Sequence, residues 1–312
     1  MKILTNILYY IAISLVLISC EDIIDPNLPE ASPVFVIDAW INNKSESQVI
    51  KVKQTLPYFD TNELPGISGA EIRITDSNGN SYDFIESEDS SGDYLWTPPN
   101  DSSTFGEIGM NYFLSIKVGE ITFESISSMN RVPSIDSVTY RFEKGNDFFP
   151  DSYFAQFYAV DPVGIGDSYW IKAYKNGIYL SKPDEINIAY DAAFSAGSEV
   201  DGITFLQPIR DGINPFDQDE NDDFLSPYAP GDSVYVEIYS ITNLAHTFLT
   251  QMQVQINRPG GFAEMFSVPL SNVITNIINT STDDTVIGFF NVSAVSGMGS
   301  RLDPEDLPTE EE

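Results

Sequence analysis

The chain has one cysteine and one histidine among 312 residues, and only 15 Lys and Arg against 47 Asp and Glu. A single cysteine excludes an internal disulfide and any cysteine-rich metal framework. A Ser-His-Asp or Cys-His centre must use His246 or not exist, and histidine-based zinc sites fail for the same reason. Gly-x-Ser-x-Gly, Gly-x-Gly-x-x-Gly and a phosphate-cradling Gly-Lys-Ser/Thr are all missing, so nucleophile elbows and nucleotide chemistry have no foothold. The scarcity of basic residues gives a formal net charge of −32, which excludes nucleic acid as a direct ligand. Apolar residues nevertheless make up 42% of the chain and aromatics 12%, enough to bury real cores, so charge-driven disorder is excluded too. The length suits about two domains.

The one cysteine is placed where it can matter. Lys2 supplies a positive start, and Ile7 to Ile18 is an apolar run interrupted only by Ser14, too short to read first as a membrane span. Residues 1–19 therefore read as a lipoprotein signal peptide. Leu17-Ile18-Ser19-Cys20 resembles a bacterial lipobox, which implies diacylation of Cys20 and cleavage before it. The alternative is an ordinary apolar cysteine in an uncleaved leader. Cleavage removes one cation and no acid, so the anionic body gains nothing from acidic headgroups; membrane residence must come from the acyl chains, at about 0.8 kcal/mol per buried methylene. Glu21, Asp22 and Asp25 follow. This cluster is similar to the surface-export signal of Bacteroidota lipoproteins, or is a solvated tether. Residues 20–33, with Pro26, Pro29 and Pro33, read as lipidated cysteine and extended spacer.

From Val34 onward short alternating runs predict a mainly β protein of two immunoglobulin/transthyretin-like sandwich domains, 34–131 and 132–302. Ala70, Ile72 and Ile74 alternate with charged or polar neighbours up to Asn78-Gly79, a hairpin turn, and Tyr82 and Phe84 alternate on the return. Tyr112 to Val118, Gly119-Glu120 and Ile121 to Phe123 predict a second hairpin. Gly69-Ala70-Glu71-Ile72-Arg73-Ile74, Asn78-Gly79 and Gly92-Asp93-Tyr94 resemble transthyretin-like modules, which implies a small residue beneath the sheet and an aromatic anchor at Tyr94. Proline interrupts the pattern at Arg131-Val132-Pro133-Ser134, the expected boundary. Beyond it Val138 to Phe142, Tyr153 to Val160, Tyr169 to Tyr174 before Asn176-Gly177, and Val234 to Ile238 read as strands, with Val286 to Val295 closing the second sheet.

One segment has helical period. Ile241, Leu244, Ala245, Phe248, Leu249 and Met252 recur at three and four, predicting a helix over 242–257 that covers a sheet and stops at Pro259-Gly260-Gly261. His246 lies off that stripe and is expected to face water. The tail 303–312, ending in three glutamates, reads as solvated.

Candidate sites are few. Among so many acids a glycosidase-like carboxylate pair is expected by chance and cannot be singled out. Asp217-Gln218-Asp219-Glu220-Asn221-Asp222-Asp223 could wrap calcium, but position six is Asp222 instead of Gly and position twelve is Tyr228 instead of Glu; the alternative is an acidic surface loop. Trp40, Tyr58, Phe59, Trp96, Trp170 and Phe148-Phe149 are candidates for sugar or protein contact, most of them expected in cores. Phe148-Phe149, set between polar turn residues, is the expected exposed anchor.

Taken in order, Cys20, the Val34–Trp40 strand, Gly69-Ala70, Gly92-Asp93-Tyr94, Val132-Pro133-Ser134-Ile135-Asp136-Ser137, Asp161-Pro162 before Tyr169-Trp170, Gly231-Asp232-Ser233-Val234, Thr275-Asn276-Ile277 and Gly288-Phe289-Phe290 resemble the DUF4249 family. The resemblance covers about residues 20 to 300. It implies an outer-membrane, surface-exposed lipoprotein encoded beside a TonB-dependent receptor, and hence an accessory subunit of that β-barrel; it lends no catalytic residues, cofactor or metal. The alternatives are a stand-alone surface binding module for glycan or protein and, disfavoured by the histidine count, a hydrolase.

Overall fold

The computed structural model describes residues 32–57, 60–146, 149–195, 200–258, 260, 271–303 and 305. The chain divides into Met1–Ser32 and Pro33–Glu312. The signal peptide, Cys20 and most of the tether lie outside the described residues, as does nearly all of the acidic tail.

The second unit is mainly β. Its first seven strands are β1 (Phe35–Asn42), β2 (Gln48–Gln54), β3 (Glu71–Asp76), β4 (Ser81–Glu86), β5 (Asp93–Trp96), β6 (Asn111–Val118) and β7 (Ile121–Ser128). Then come β8 (Ile135–Glu143), β9 (Ser152–Ala159), β10 (Ser168–Lys175), β11 (Ile178–Tyr179), β12 (Asn187–Tyr190), helix α1 (Gln207–Asp211) and β13 (Ser233–Ile241). Helix α2 (Asn243–Ile256), β14 (Ile278–Asn279), β15 (Val286–Ser293) and β16 (Val295–Arg301) complete the described elements.

A nine-stranded sheet runs β14-β7-β6-β3-β4-β5-β2-β1-β15. Alternation builds it: Ile72 and Ile74 are buried while Glu71 and Arg73 are exposed, and Ile72 stands opposite Phe84 across the hairpin. The turn closes as its sequence predicts. Gly79 takes a φ of +90°, and the Asp76 carboxylate accepts from the Asn78 and Asn80 amides at 2.9 Å. Tyr94 is the buried anchor, its hydroxyl donating to the Ile67 carbonyl at 2.7 Å and accepting from the Ala70 amide at 2.9 Å. The sheet curls until its ends meet: the Val292 amide donates to Ser127 Oγ at 3.0 Å, and Asn276 bonds both backbone groups of Phe290. Side chains from both halves thereby share one core, the packing of a sandwich.

The second sheet runs β11-β10-β13-β16, with β12 also on β10, and β8-β9 form a separate hairpin. One face of the second sheet, with Tyr169, Ile171, Val236 and Ile238, packs against Val138 and Phe157 of that hairpin and Ile209 of α1. Its opposite face meets the first sheet. Trp170 lies 5.2 Å from Trp40 of β1, and Trp40 stacks on Phe289 of β15 at 5.7 Å. Helix α2 covers this joint with Ala245, Phe248 and Leu249; its N-cap is Thr242, whose Oγ1 accepts from the Ala245 amide at 3.2 Å.

Three expectations change. The segment 132–302 is not confined to one sheet, because β14 and β15 return to the first. Val286 to Val295 therefore does not close the second sheet: β15 pairs in parallel with β1, and β16, beyond Ala294, pairs with β13. The apolar face of α2 is narrower than its period implies. Leu244 is exposed, whereas His246 is half-buried against the Tyr190 ring at 6.0 Å, because β12 ends over that side of the first turn. The helix ends at Ile256, with the Asn257 amide donating to the Gln253 carbonyl at 3.0 Å; Pro259 and Gly261 lie outside the described residues.

Candidate functional site

Two stretches singled out in the sequence meet in space. The turn between β8 and β9 is held by the Asp151 carboxylate, which accepts from the Gly145 amide at 2.7 Å, and by the Asn146 amide donating to the Phe149 carbonyl at 2.8 Å. The acidic stretch 217–223 folds as a small hairpin: Gln218 bridges Phe224, the Asp219 amide donates to the Asp223 carbonyl at 2.9 Å, and the Leu225 amide to the Asp217 carbonyl at 2.9 Å. Asp222 at its tip has a φ of +65°. The hairpin's base is fixed to β9, where the Tyr153 amide donates to Ser226 Oγ at 3.0 Å, and to the core through Tyr228, whose buried hydroxyl donates to the Ile213 carbonyl at 2.6 Å.

This arrangement stacks Phe149 on Phe224, with ring centroids 5.0 Å apart and planes at 22°. Phe216 packs against Phe224 with ring centroids 4.7 Å apart and planes at 50°. Together with Phe154, Leu225 and Pro150 they line a cavity of about 270 Å³ that opens to solvent. Phe149 is 48% exposed, Phe216 66% and Leu225 49%, so the aromatic cluster is open to solvent. Phe148 lies outside the described residues.

The rim is acidic. Asp217 pairs with Lys182, and Arg141 pairs with Glu143 at 2.7 Å. Backbone amides of Asn221 and Asp223 hold the Asp219 carboxyl below the usual carboxylate range, so it stays ionised well into acid. Glu220, Asp222 and Asp223 are exposed and make no ion pair among the described residues. The oxygens expected to favour calcium are engaged differently: Asp217 faces an ammonium, and Asp219 closes its own turn at 2.8 Å to Asn221 and 3.0 Å to Asp223. That is the geometry of the acidic surface loop.

A family model described as a domain of unknown function, DUF4249, matches residues 21–297, most of the chain. The chain belongs to this family. No curated protein matches it. The DUF4249 match begins directly after Cys20 and takes in the first sheet, the second as far as the start of β16, α2 and the aromatic cavity.

The remaining candidates of this DUF4249 chain fall elsewhere. Tyr58 and Phe59, like Cys20, lie outside the described residues. Trp96 packs against the first core, and Trp40 and Trp170 form the joint between sheets. His246 Nε2 has no hydrogen-bond partner among the described residues, and burial lowers its pKa, which favours the neutral imidazole; it lines an open pocket with Tyr190, Ser195 and Asn243.

Sequence reading missed one group. Asp161, Asp167 and Asp191 bring their carboxylates within 4.8 Å of one another, because β12 pairs antiparallel with β10 and delivers Asp191 beside the loop that precedes β10. Such a set could hold a hard cation. Here Asp161 accepts from the Tyr169 hydroxyl at 2.6 Å, Asp191 from the Gly166 and Asp167 amides at 2.8 and 2.9 Å, and Asp167 from Arg131 at 2.6 Å. Arg131 also binds the carbonyls of Pro162, Val163 and Gly164. The guanidinium thus supplies the positive charge and takes the carbonyls a calcium ion would want, so the group is a pin for this loop.

Proposed function

We infer that this DUF4249 chain is a non-enzymatic outer-membrane lipoprotein, anchored through lipid on Cys20 and exposed at the cell surface. In this reading it is an accessory or binding subunit of a TonB-dependent receptor-type β-barrel, serving nutrient uptake or surface assembly. The observation that carries the binding role is the open aromatic cavity of Phe149, Phe216 and Phe224, presented by two loops that hydrogen bonds fix to the scaffold. No cofactor is required. The anchor rests on the Leu17-Ile18-Ser19-Cys20 lipobox; among the described residues no helix is long and apolar enough to cross a membrane. Tethering in the membrane plane raises the effective concentration of the cavity toward a neighbouring barrel, so a weak contact persists.

Replacing the anchoring thiol tests the location. Cys20→Ala is expected to abolish incorporation of labelled palmitate and to release the chain from the membrane fraction; unchanged labelling and fractionation would contradict the reading. A stand-alone surface module or adhesin for glycan or protein would draw on the same cavity. It is distinguished by recovering no stoichiometric barrel with the wild-type chain in mild detergent.

A further inference from the structure

We propose that the free edge of β16 pairs with β16 of a second copy of this chain, through main-chain hydrogen bonds. β16 is the outer strand of the second sheet, bonded to β13 on one side and to no strand on the other among the described residues. Its ladder fixes which groups point outward. At one end the Ser240 amide donates to the Ala294 carbonyl at 2.9 Å, and at the other the Leu302 amide donates to the Asp232 carbonyl at 2.8 Å. The antiparallel register between them is unbroken, so Ser296, Met298 and Ser300 bond to β13, while Val295, Gly297, Gly299 and Arg301 turn their amides and carbonyls away from it. The Val295 amide takes that direction, donating to Asn43 Oδ1 at 2.9 Å. Gly297, Gly299 and Arg301 are exposed, and their outward backbone groups have no partner among the described residues. Sheet edges are ordinarily blunted by proline, lysine or a bulge, and Val295 to Ser300 has none of these. A row of alternating donors and acceptors fits extended backbone.

The strand is complementary to itself. Two antiparallel copies centred on Gly299 set Gly297 opposite Arg301 of the second copy and Gly299 opposite Gly299, and each opposed pair exchanges both its bonds. The long side chain of this edge then meets a gap in it. Tyr235 lies over β16, for a Cβ at Gly297 would fall 2.4 Å from its hydroxyl and one at Gly299 3.0 Å from its ring. Arg301 lies on the same face of the sheet as these glycines. In the pair its guanidinium comes to the Tyr235 hydroxyl of the second copy, on a ring that is 45% exposed. Such a twofold uses up the edge on both copies, so assembly stops at a dimer. The formal charge of −32 on each body opposes it. Salt screens that repulsion and leaves neutral main-chain bonds intact, so the dimer strengthens as ionic strength rises.

The test uses the full-length lipidated chain in mild detergent, followed by native mass spectrometry over a concentration series. Monomer and dimer are expected, with no larger species and a dimer fraction that grows with salt. Arg301→Pro removes an outward amide and the side chain while sparing the bonds to β13, the situation in which an edge strand accepts proline. It should weaken the dimer about tenfold at an unchanged melting temperature. As a second readout, Gly299→Cys and, separately, Ile178→Cys are oxidised in native membranes. Position 299 meets its own copy on the twofold axis and should give a disulfide-linked dimer; position 178, exposed in β11 at the opposite edge of the sheet, should not. A chain that is monomeric at every concentration, a dimer indifferent to Arg301→Pro, a dimer that dissociates as salt rises, or a position 299 that gives no disulfide, no more than position 178, or one only to another protein would each overturn the proposal. The barrel partnership is judged separately, since a barrel recovered equally with wild type and Arg301→Pro leaves it standing whatever becomes of the dimer.

Discussion

Lys172 shows how a single residue records its surroundings. Its ammonium lies 3.9 Å from the Trp170 ring and 4.2 Å from the Tyr239 ring, on the face of β10 that meets the first sheet. Burial pushes its pKa down to about 8, although Glu237 and Asp38 favour the charged form and Lys44 opposes it. Glu237 is spoken for by Lys44 at 3.0 Å and the Tyr239 hydroxyl at 2.8 Å. An unfolded lysine holds its proton to higher pH, so the unfolded state binds more protons between about 8 and 10.5 and stability attributable to Lys172 rises across that window. Below it, the charged form costs stability. Lys172→Met is therefore expected to be more stable than wild type near neutrality, the advantage shrinking by on the order of 2 kcal/mol as pH climbs through the window. Denaturant melts of both proteins check this; an advantage that stays constant with pH would contradict it. At this scale the sequence was partly legible. Tyr94 announced itself as an anchor by its Gly-x-Tyr setting, while Lys172 looked like any lysine in an alternating strand, because Tyr239 and Glu237 reach it from β13 to join Trp170 of its own strand.

Among elements, those specified by neighbours in sequence were readable and those specified by distant partners were not. Asp76 to Asn80 contains its own turn chemistry, and Thr242 caps α2 from within the same segment. The parallel pairing of β1 with β15 joins strands at opposite ends of the unit, and no local period encodes it. One residue still makes it possible: Gly288 has a φ of +108°, and a Cβ there would lie 1.9 Å from the Ile37 carbonyl oxygen. Gly288→Ala is expected to cost at least about 2 kcal/mol, by strain and by opening the seam, seen as a lowered melting temperature. A variant as stable as wild type would show that the seam tolerates separation. The cavity follows the same logic. Phe149 and Phe224 are 75 positions apart, and Phe216 and Phe224 bracket the acidic run symmetrically; aromatics at both ends of a polar stretch were the signal of a closed hairpin that reading the run for calcium passed over. The hairpin's hydrogen bonds do not need an ion, so calcium titration is expected to leave the melting temperature unchanged, and a saturable rise would contradict that.

For the whole molecule, two sheets are locked through Trp40, Trp170 and Phe289 beneath α2, so the face carrying Phe149 and Phe216 is displayed by a body with a continuous hydrophobic joint. The aromatic cavity, in contrast, emerged only when loops from β8-β9 and 215–227 came together. What remains is whether this body works beside a barrel. Purifying the full-length chain from native membranes in mild detergent and quantifying its companions by mass spectrometry measures that directly. The account predicts one outer-membrane β-barrel in stoichiometric yield, retained through washing; a chain that emerges alone, with its lipid intact, would contradict it.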